Sequence, residues 1–310
     1  MQGIVIKSTG SHSAVRLENG NVVECKVRGK FRMLDLKTTN PVAVGDRVDV
    51  EVDEGENASW ITNIYDRKNY IIRRSVNLSK QFHIIAANLD QALLVATVAM
   101  PRTSTGFIDR FLVTAEAYSI PAILVFNKID LLDEESRQLH EHYLAIYRSA
   151  GYDCFEVSAE TAAGLEDLRD ELTGKITLFS GHSGTGKSTL INALQPGMEL
   201  RTGKLSDAHD KGKHTTTFAE MFELEKGGAI IDTPGIKEFG LVEMEPEELA
   251  SYFPDIFKLQ GNCKFADCLH TDEPGCAVLK AADEGIIAEE RYINYLGILA
   301  DLKQQKLDLY

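Results

Sequence analysis

The chain has 310 residues, with 47 acidic against 33 basic side chains, a formal net charge of -14 and 44% hydrophobic content. That composition excludes disorder for the bulk of the chain, and the length suggests two or three domains at roughly 100–150 residues each. No apolar run approaches the ~20 residues that span a bilayer, and the start of the chain lacks a charged stretch leading into an apolar one, so neither a membrane helix nor a secretory signal is expected, and the cytoplasm is the expected compartment.

Residues 1 to about 65 read as short strands with period-two apolar spacing: GIVIKST, HSAVRLE, NVVECKV, RVDVEV and WITNIY, separated by Gly, Asn and Pro turns. Val48, Val50 and Val52 alternate with Asp49 and Glu51, as in a strand with one wet face. Five such strands predict a small all-β barrel of the OB type over residues 1–66, with an SH3-like barrel as runner-up. Charge is uneven: residues 1–40 hold seven Lys and Arg against three acids, whereas residues 238–290 hold thirteen acids against three bases. A basic N-terminal face on an acidic body is compatible with RNA, because phosphate attraction depends on the local field.

From about residue 88 the period changes. DQALLVATV, PAILVFNKID, DCFEVSAE and KITLFSG are apolar runs that each end in polar or Gly-rich residues, with helical stretches such as Asp109 to Tyr118 and Leu165 to Leu172 between them. This alternation predicts a central α/β domain over 67–245 with a parallel sheet and its ligand groups at the carboxyl ends of the strands.

The second of those ends carries Asn127-Lys128-Ile129-Asp130. A carboxylate at the fourth position can accept both N1–H and the 2-amino group of guanine, whereas adenine offers neither donor and would leave it unpaired. Ser158 and Ala159 end the next strand and are placed to present a backbone N–H to guanine O6. Residues 181–188, GHSGTGKS, then satisfy the phosphate-loop pattern between a strand and the helical STLINAL. Gly181, Ser183, Gly184, Gly186, Lys187, Ser188 and Thr189 are the expected phosphate-binding residues, with Lys187 reaching the β and γ phosphates and Ser188 ligating Mg2+.

Asp232-Thr233-Pro234-Gly235 closes the strand GGAIID, where Asp232 can hold Mg2+ through water and the Gly235 N–H can sense a γ-phosphate. Between these lies KGKHTTTF, in which Thr215 or Thr216 completes the Mg2+ shell; the sequence does not choose between them. Many GTPases orient the attacking water with a Gln directly after DxxG, but this chain has Ile236, and an apolar side chain cannot orient water. His214 is the nearest candidate in sequence. Slow intrinsic hydrolysis that a partner accelerates is therefore expected.

The order of these parts is unusual. The base motifs at 127 and 158 precede the phosphate loop at 181, so the domain is expected to be circularly permuted, and the switch segments then lead directly into residues 246–310. That last region is acidic and helical. Its closing helix carries Tyr292, Tyr295, Leu296, Leu299 and Leu302 as one apolar stripe. Cys263, Cys268, His270 and Cys276 supply three thiolates and one imidazole, the ligand set of a closed structural Zn2+ site. Cys25 and Cys154, inside strands, read as small core residues.

The motifs NKID, SAE, GHSGTGKST, GKHTTT, DTPGI and NCKFADCLHTDEPGCAV, in that order, resemble the RsgA (YjeQ/EngC) family of circularly permuted GTPases over nearly the whole chain. The resemblance implies an N-terminal OB-fold, a permuted GTPase core and a C-terminal zinc domain, with one structural Zn2+ and with Mg2+ accompanying GTP. It implies a monomeric factor that binds the 30S ribosomal subunit and its 16S rRNA late in maturation and leaves on hydrolysis of GTP to GDP. It also implies a catalytic role for His214, and zinc ligation by Cys263, Cys268, His270 and Cys276. Thr185 stands where the family often has Val, a position that contributes mainly backbone. Two other classes compete: a P-loop small-molecule kinase in which NKID is accidental, and a non-enzymatic RNA-binding module with a structural nucleotide.

Overall fold

The computed structural model describes residues 1–9, 12–27, 40–53, 58–74, 82–195, 219–233 and 244–307. His214, Thr215, Thr216, Gly235 and Ile236 lie outside the described residues.

Five strands, β1 (Gln2–Ser8), β2 (His12–Leu17), β3 (Val22–Val27), β4 (Arg47–Asp53) and β5 (Ala58–Ile64), form the N-terminal barrel in the order β1-β2-β3-β5-β4, closed by β1 pairing β4. Alternate residues point inward, so Val5, Val15, Cys25, Val48 and Ile61 are fully buried in one core. β3 runs parallel to β5, a pairing that the OB crossover produces and a simple meander does not. The SH3-like alternative is set aside. Arg67 forks onto the fully buried Asp46, with Nε donating to Oδ1 at 2.7 Å and Nη2 to Oδ2 at 2.8 Å, and so ties the chain leaving the barrel back to it.

A hairpin absent from the sequence reading follows, β6 (Tyr70–Arg74) with β7 (Phe82–Ala87). Next come β8 (Gln91–Ala96), α1 (Thr105–Ala117), β9 (Ala122–Phe126), α2 (Glu134–Ala150), β10 (Asp153–Glu156), α3 (Leu165–Leu172), β11 (Ile176–Ser180), α4 (Lys187–Leu194), β12 (Glu220–Glu223) and β13 (Ala229–Asp232). The sheet order is β10-β9-β8-β11-β13-β12, parallel except for β12. β8 is buried along its whole length, as an apolar run covered on both faces must be. One face packs on α1 and α2, the other on α3 and α4.

From β8 the chain winds toward β10, and from β11 it winds the other way toward β13. The seam between β8 and β11 is thus a topological switch point, where open α/β sheets bind ligands. Counting from β11 instead of β8 would join the two halves in the ordinary GTPase order, so the permutation read from the motifs is present in the sheet. β12 also pairs with β1 through Lys7 and Glu220, which makes the barrel continuous with the sheet.

The C-terminal region begins with a 3-10 stretch (Pro246–Tyr252) and continues through α5 (Pro254–Gln260), α6 (Ala277–Asp283) and α7 (Glu289–Leu307). Tyr295, Leu299 and Leu302 are buried as the stripe predicts, with Tyr292 and Leu296 against the same core. Val113 of α1 belongs to this core while Ile108, Phe111 and Leu112 belong to that of the sheet. α1 is therefore shared between the two domains. No helix among the described residues is long and apolar enough to cross a membrane.

Candidate functional site

Every described nucleotide motif lies at the carboxyl edge of the sheet: Asn127 after β9, Ser158 after β10, Gly181 after β11 and Asp232 at the end of β13. One buried side chain joins three of them. Asn127 Nδ2 donates to the Thr185 carbonyl at 2.9 Å, and its Oδ1 accepts from the Ala159 N–H at 3.1 Å. Lys128, in the left-handed region at φ 66°, extends across the same gap and donates from Nζ to the carbonyls of Met100 and Gly184, both at 2.7 Å. Asn127 and Lys128 thus act as scaffold for the loops. Asp130 follows in an exposed 3-10 turn, Ile129–Leu131.

The amide accounting in the β10 loop is tighter than the sequence suggested. The Ser158 N–H donates to the Ala163 carbonyl at 3.0 Å, and the Ser158 side chain accepts from the Thr161 N–H. The Ala159 amide is the one that Asn127 holds. A base oxygen approaching it would share that donor with Asn127 Oδ1.

Gly186 makes the phosphate loop possible. Its φ is +85°, and a Cβ there would lie 2.5 Å from Asn127 Nδ2, so both the turn and the Asn127 contact exclude any side chain. α4 starts immediately after it at Lys187, with Ser188 and Thr189 in its first turn. The helix therefore aims its free N–H groups, and the positive end of its dipole, over the loop formed by Gly181, Ser183 and Gly184. Lys187 Nζ is ion-paired with Asp232, and both side chains are largely buried. Thr185, at the position that departs from the resembled family, is fully buried and donates its hydroxyl to the His182 carbonyl at 3.0 Å. Its side chain closes the loop from within.

A second constellation lies in the C-terminal domain. Cys263, Cys268, His270 and Cys276 bring their donor atoms within 4.8 Å of one another. His270 Nδ1 is 3.6 Å from Cys263 Sγ and 3.5 Å from Cys276 Sγ, and the two sulfurs are 4.0 Å apart. A tetrahedral ion with bonds of about 2.3 Å to sulfur and about 2.0 Å to nitrogen has S···N edges of about 3.5 Å and S···S edges of about 3.8 Å, so this donor set fits such an ion. The four ligands could hold a metal with no open position.

The loop that carries His270 is clamped from both sides. Tyr292 Oη donates to the His270 carbonyl at 2.8 Å and Tyr295 Oη to the Leu269 carbonyl at 2.9 Å, so the stripe read as apolar also anchors the metal loop by its hydroxyls. From the other side the Glu273 carboxylate accepts the N–H groups of Leu269 and Thr271, each at 2.8 Å. Burial alone would raise its pKa, but these backbone donors outweigh burial and hold it at about 2. Glu273→Ala would free the two amides that flank His270. It is expected to weaken metal affinity by roughly 10- to 100-fold, read with Zn2+ against a chromogenic chelator; unchanged affinity would show that the loop needs no clamp.

Cys25 is fully buried in the barrel core, whereas Cys154 is half-buried against the core of the sheet. Burial pushes the Cys25 thiol up to about 11 and the Cys154 thiol to about 12, which keeps both protonated.

A phosphate loop at the switch point of a sheet in permuted order, with a guanine-type NKxD turn tied to it, defines a circularly permuted P-loop GTPase. Residues 64–242 match the family described as RsgA GTPase, and residues 2–61 match the RsgA N-terminal domain. The chain belongs to the RsgA GTPase family. It is 55% identical over 306 residues, covering 99% of this chain and 98% of the relative, to the small ribosomal subunit biogenesis GTPase RsgA of Bacteroides fragilis. Among solved structures it is similar to YjeQ from Thermotoga maritima, at 39% identity and a TM-score of 0.79 over 97% of this chain and 98% of that one. It is also similar to YloQ, described as a circularly permuted GTPase, at 29% identity and a TM-score of 0.75 over 98% and 95%.

Proposed function

We propose that this GTPase binds the small (30S) ribosomal subunit and acts in its late maturation, hydrolysing GTP to GDP and phosphate with stimulation by the subunit and departing on hydrolysis. The observation that carries the guanine half is Asn127, whose one side chain is bonded to both the phosphate loop and the SAE loop. A kinase in which NKID is accidental would have no use for that link. The ribosomal half rests on full-length relatives described as small ribosomal subunit biogenesis GTPases.

In this reading Asp130 takes the N1–H and 2-amino group of guanine, and the amides of the Ser158-Ala159 turn serve O6. The N–H groups of Gly181, Ser183, Gly184 and Gly186, with those of Ser188 and Thr189, cradle the phosphates. Lys187 exchanges Asp232 for the β and γ phosphates. Asp232, so released, would hold Mg2+ together with Ser188 and Thr215 or Thr216, and the ion would supply charge neutralisation at the phosphates. Gly235 offers its N–H to the γ-phosphate, and His214 orients the water that Ile236 cannot. Cys263, Cys268, His270 and Cys276 would hold one Zn2+, which would fix the loop between α5 and α6 of this small acidic module.

The working division is an OB-fold RNA-binding domain over 1–66 that meets 16S rRNA, a GTPase domain over 67–245 and a zinc-binding helical domain over 246–310. The protein acts as a monomer in the cytoplasm.

The test is GTP turnover by the full chain alone and with small subunits, large subunits or whole ribosomes, with ATP in parallel. Small subunits are expected to stimulate, and ATP turnover should stay at background. Stimulation by large subunits instead would reject the partner, and brisk ATP turnover would reject the class. On the stimulated reaction, His214→Ala should lower turnover by roughly 10²- to 10⁴-fold with GTP affinity nearly unchanged; equal turnover would remove His214 from the mechanism.

A further inference from the structure

The segment that joins β8 to α1 belongs to none of the nucleotide motifs, yet it is built into the phosphate loop. Pro101 lies against Gly184, where a Cβ would be only 3.0 Å from the pyrrolidine ring. Thr103, almost fully buried, places Oγ1 2.7 Å from Nε2 of His182, the second residue of GHSGTGKS. The edge of the Phe107 ring meets the same imidazole at right angles, with centroids 5.5 Å apart.

The proton positions follow from the partners. His182 Nδ1 lies 3.1 Å from the Ser183 carbonyl, which can only accept, so Nδ1 carries the hydrogen and Nε2 is the acceptor. The Thr103 hydroxyl therefore donates to Nε2, and its oxygen accepts the Thr97 N–H at 3.0 Å. In this arrangement both ring nitrogens and the Thr103 hydroxyl have partners.

The same turn of α1 is held on its other side by α7. Gly106, next to Phe107, sits beneath the Asn294 amide, and a Cβ there would be 3.3 Å from Oδ1. Asn294 Nδ2 donates to Asp109 Oδ2 at 2.6 Å, and Arg291 Nη1 donates to Asp109 Oδ1 at 2.6 Å. Residues 103–109 are thus wedged between the C-terminal helix and the phosphate loop, with Gly106 facing one and Phe107 the other.

We propose that Asn294 and Arg291 of the C-terminal domain are positioning residues for the phosphate loop, acting through the first turn of α1 and the Thr103–His182 hydrogen bond, so that the seating of α7 sets nucleotide affinity. The inference rests on the reading of GHSGTGKS as the phosphate site. It differs from transmission through the switch segments, because it needs none of their residues. A ribosomal contact that shifted α7 would by this route alter nucleotide retention.

A double-mutant cycle on the zinc-loaded full chain tests it, with the release rate of a fluorescent GDP derivative as the readout. His182→Ala and Asn294→Ala should each speed release by roughly 2- to 10-fold, the range set by one net hydrogen bond. In the His182→Ala background, Asn294→Ala should add less than about 2-fold, because contacting residues in one network are not additive. Thr103→Val, which keeps the shape and removes the hydroxyl, should reproduce His182→Ala and serves if that variant folds poorly. A merely structural role for Asn294 would lower the melting midpoint in both backgrounds and leave release untouched. The proposal is overturned if Asn294→Ala leaves release unchanged, or if its effect multiplies in full onto that of His182→Ala. A wild-type chain that binds no guanine nucleotide would overturn the nucleotide reading itself along with the proposal.

Discussion

Replacing Asp130 by Asn is expected to move the preference of this GTPase from guanine to xanthine nucleotides. The Asp130 carboxylate accepts two hydrogens from guanine, at N1 and at the 2-amino group. An Asn amide can accept one of them but turns its own NH2 toward the other donor, so a hydrogen bond becomes a donor–donor contact. Xanthine carries oxygen at that carbon and restores complementarity. Loss of a charge-assisted pair in a bound complex costs several kcal/mol, so GTP affinity should fall by roughly 10³-fold while xanthosine triphosphate gains. Asp130 is exposed in its turn, so the melting midpoint should hardly move. The measurement is competition by GTP, XTP and ATP for a fluorescent nucleotide. Undiminished GTP binding by the variant would mean that the base is read elsewhere and that the NKID turn serves only as the scaffold its Asn and Lys already provide.

That distinction marks where the sequence was legible and where it was not. The chemistry-bearing motifs could be read because each is a short local pattern whose job is dictated by its own backbone, and the strand order put them on the one edge that they require. The five barrel strands and the main sheet strands were visible as period-two or continuous apolar runs. The β6–β7 hairpin and β12 were not. β12 is only four residues, EMFE, with one buried side chain, so its pattern carries little signal. Its place is set by pairing to β1 and β13, which are distant in sequence.

The scaffold inside the site was hidden for a related reason. Nothing local says that Asn127 spends both ends of its amide on the other loops, or that the Ala159 N–H is already engaged. The tyrosines of α7 were legible as an apolar stripe because the rings face the core, but their hydroxyls act at the far end of the ring, on the metal loop. Arg291 was invisible because a charged residue beside an apolar stripe reads as solvated surface. Only the fold brings Asp109 and Asp255 to it, from 182 and 36 residues away.

Arg291 is also where the largest loss of stability is expected. Its guanidinium is 1% exposed and stacks over Phe253 at 4.6 Å. It donates to Asp109 at 2.6 Å and to both oxygens of Asp255, at 3.0 and 2.6 Å. Arg291→Met keeps the stem but leaves two carboxylates buried without their cation, a change of about 3–5 kcal/mol. The pH dependence identifies the cause. Burial raises Asp109 to about 6 even though Arg291 and Asn294 pull it down and Asp255 pushes it further up. Between its unfolded value near 3.8 and about 6, the folded chain holds a proton on Asp109 that the unfolded chain has released. Acid in that window therefore favours folding, and the increment is lost as pH rises through about 6. Removing the guanidinium raises Asp109 further and widens the window. The deficit of Arg291→Met should consequently be greatest near pH 7.5 and shrink toward pH 5, and Asp109→Asn in the same chain should recover part of it. Melting midpoints of the wild type, single and double variants at the two pH values decide the matter. An equal deficit at both, with no recovery from Asp109→Asn, would assign the loss to the missing stack on Phe253 and not to stranded charge.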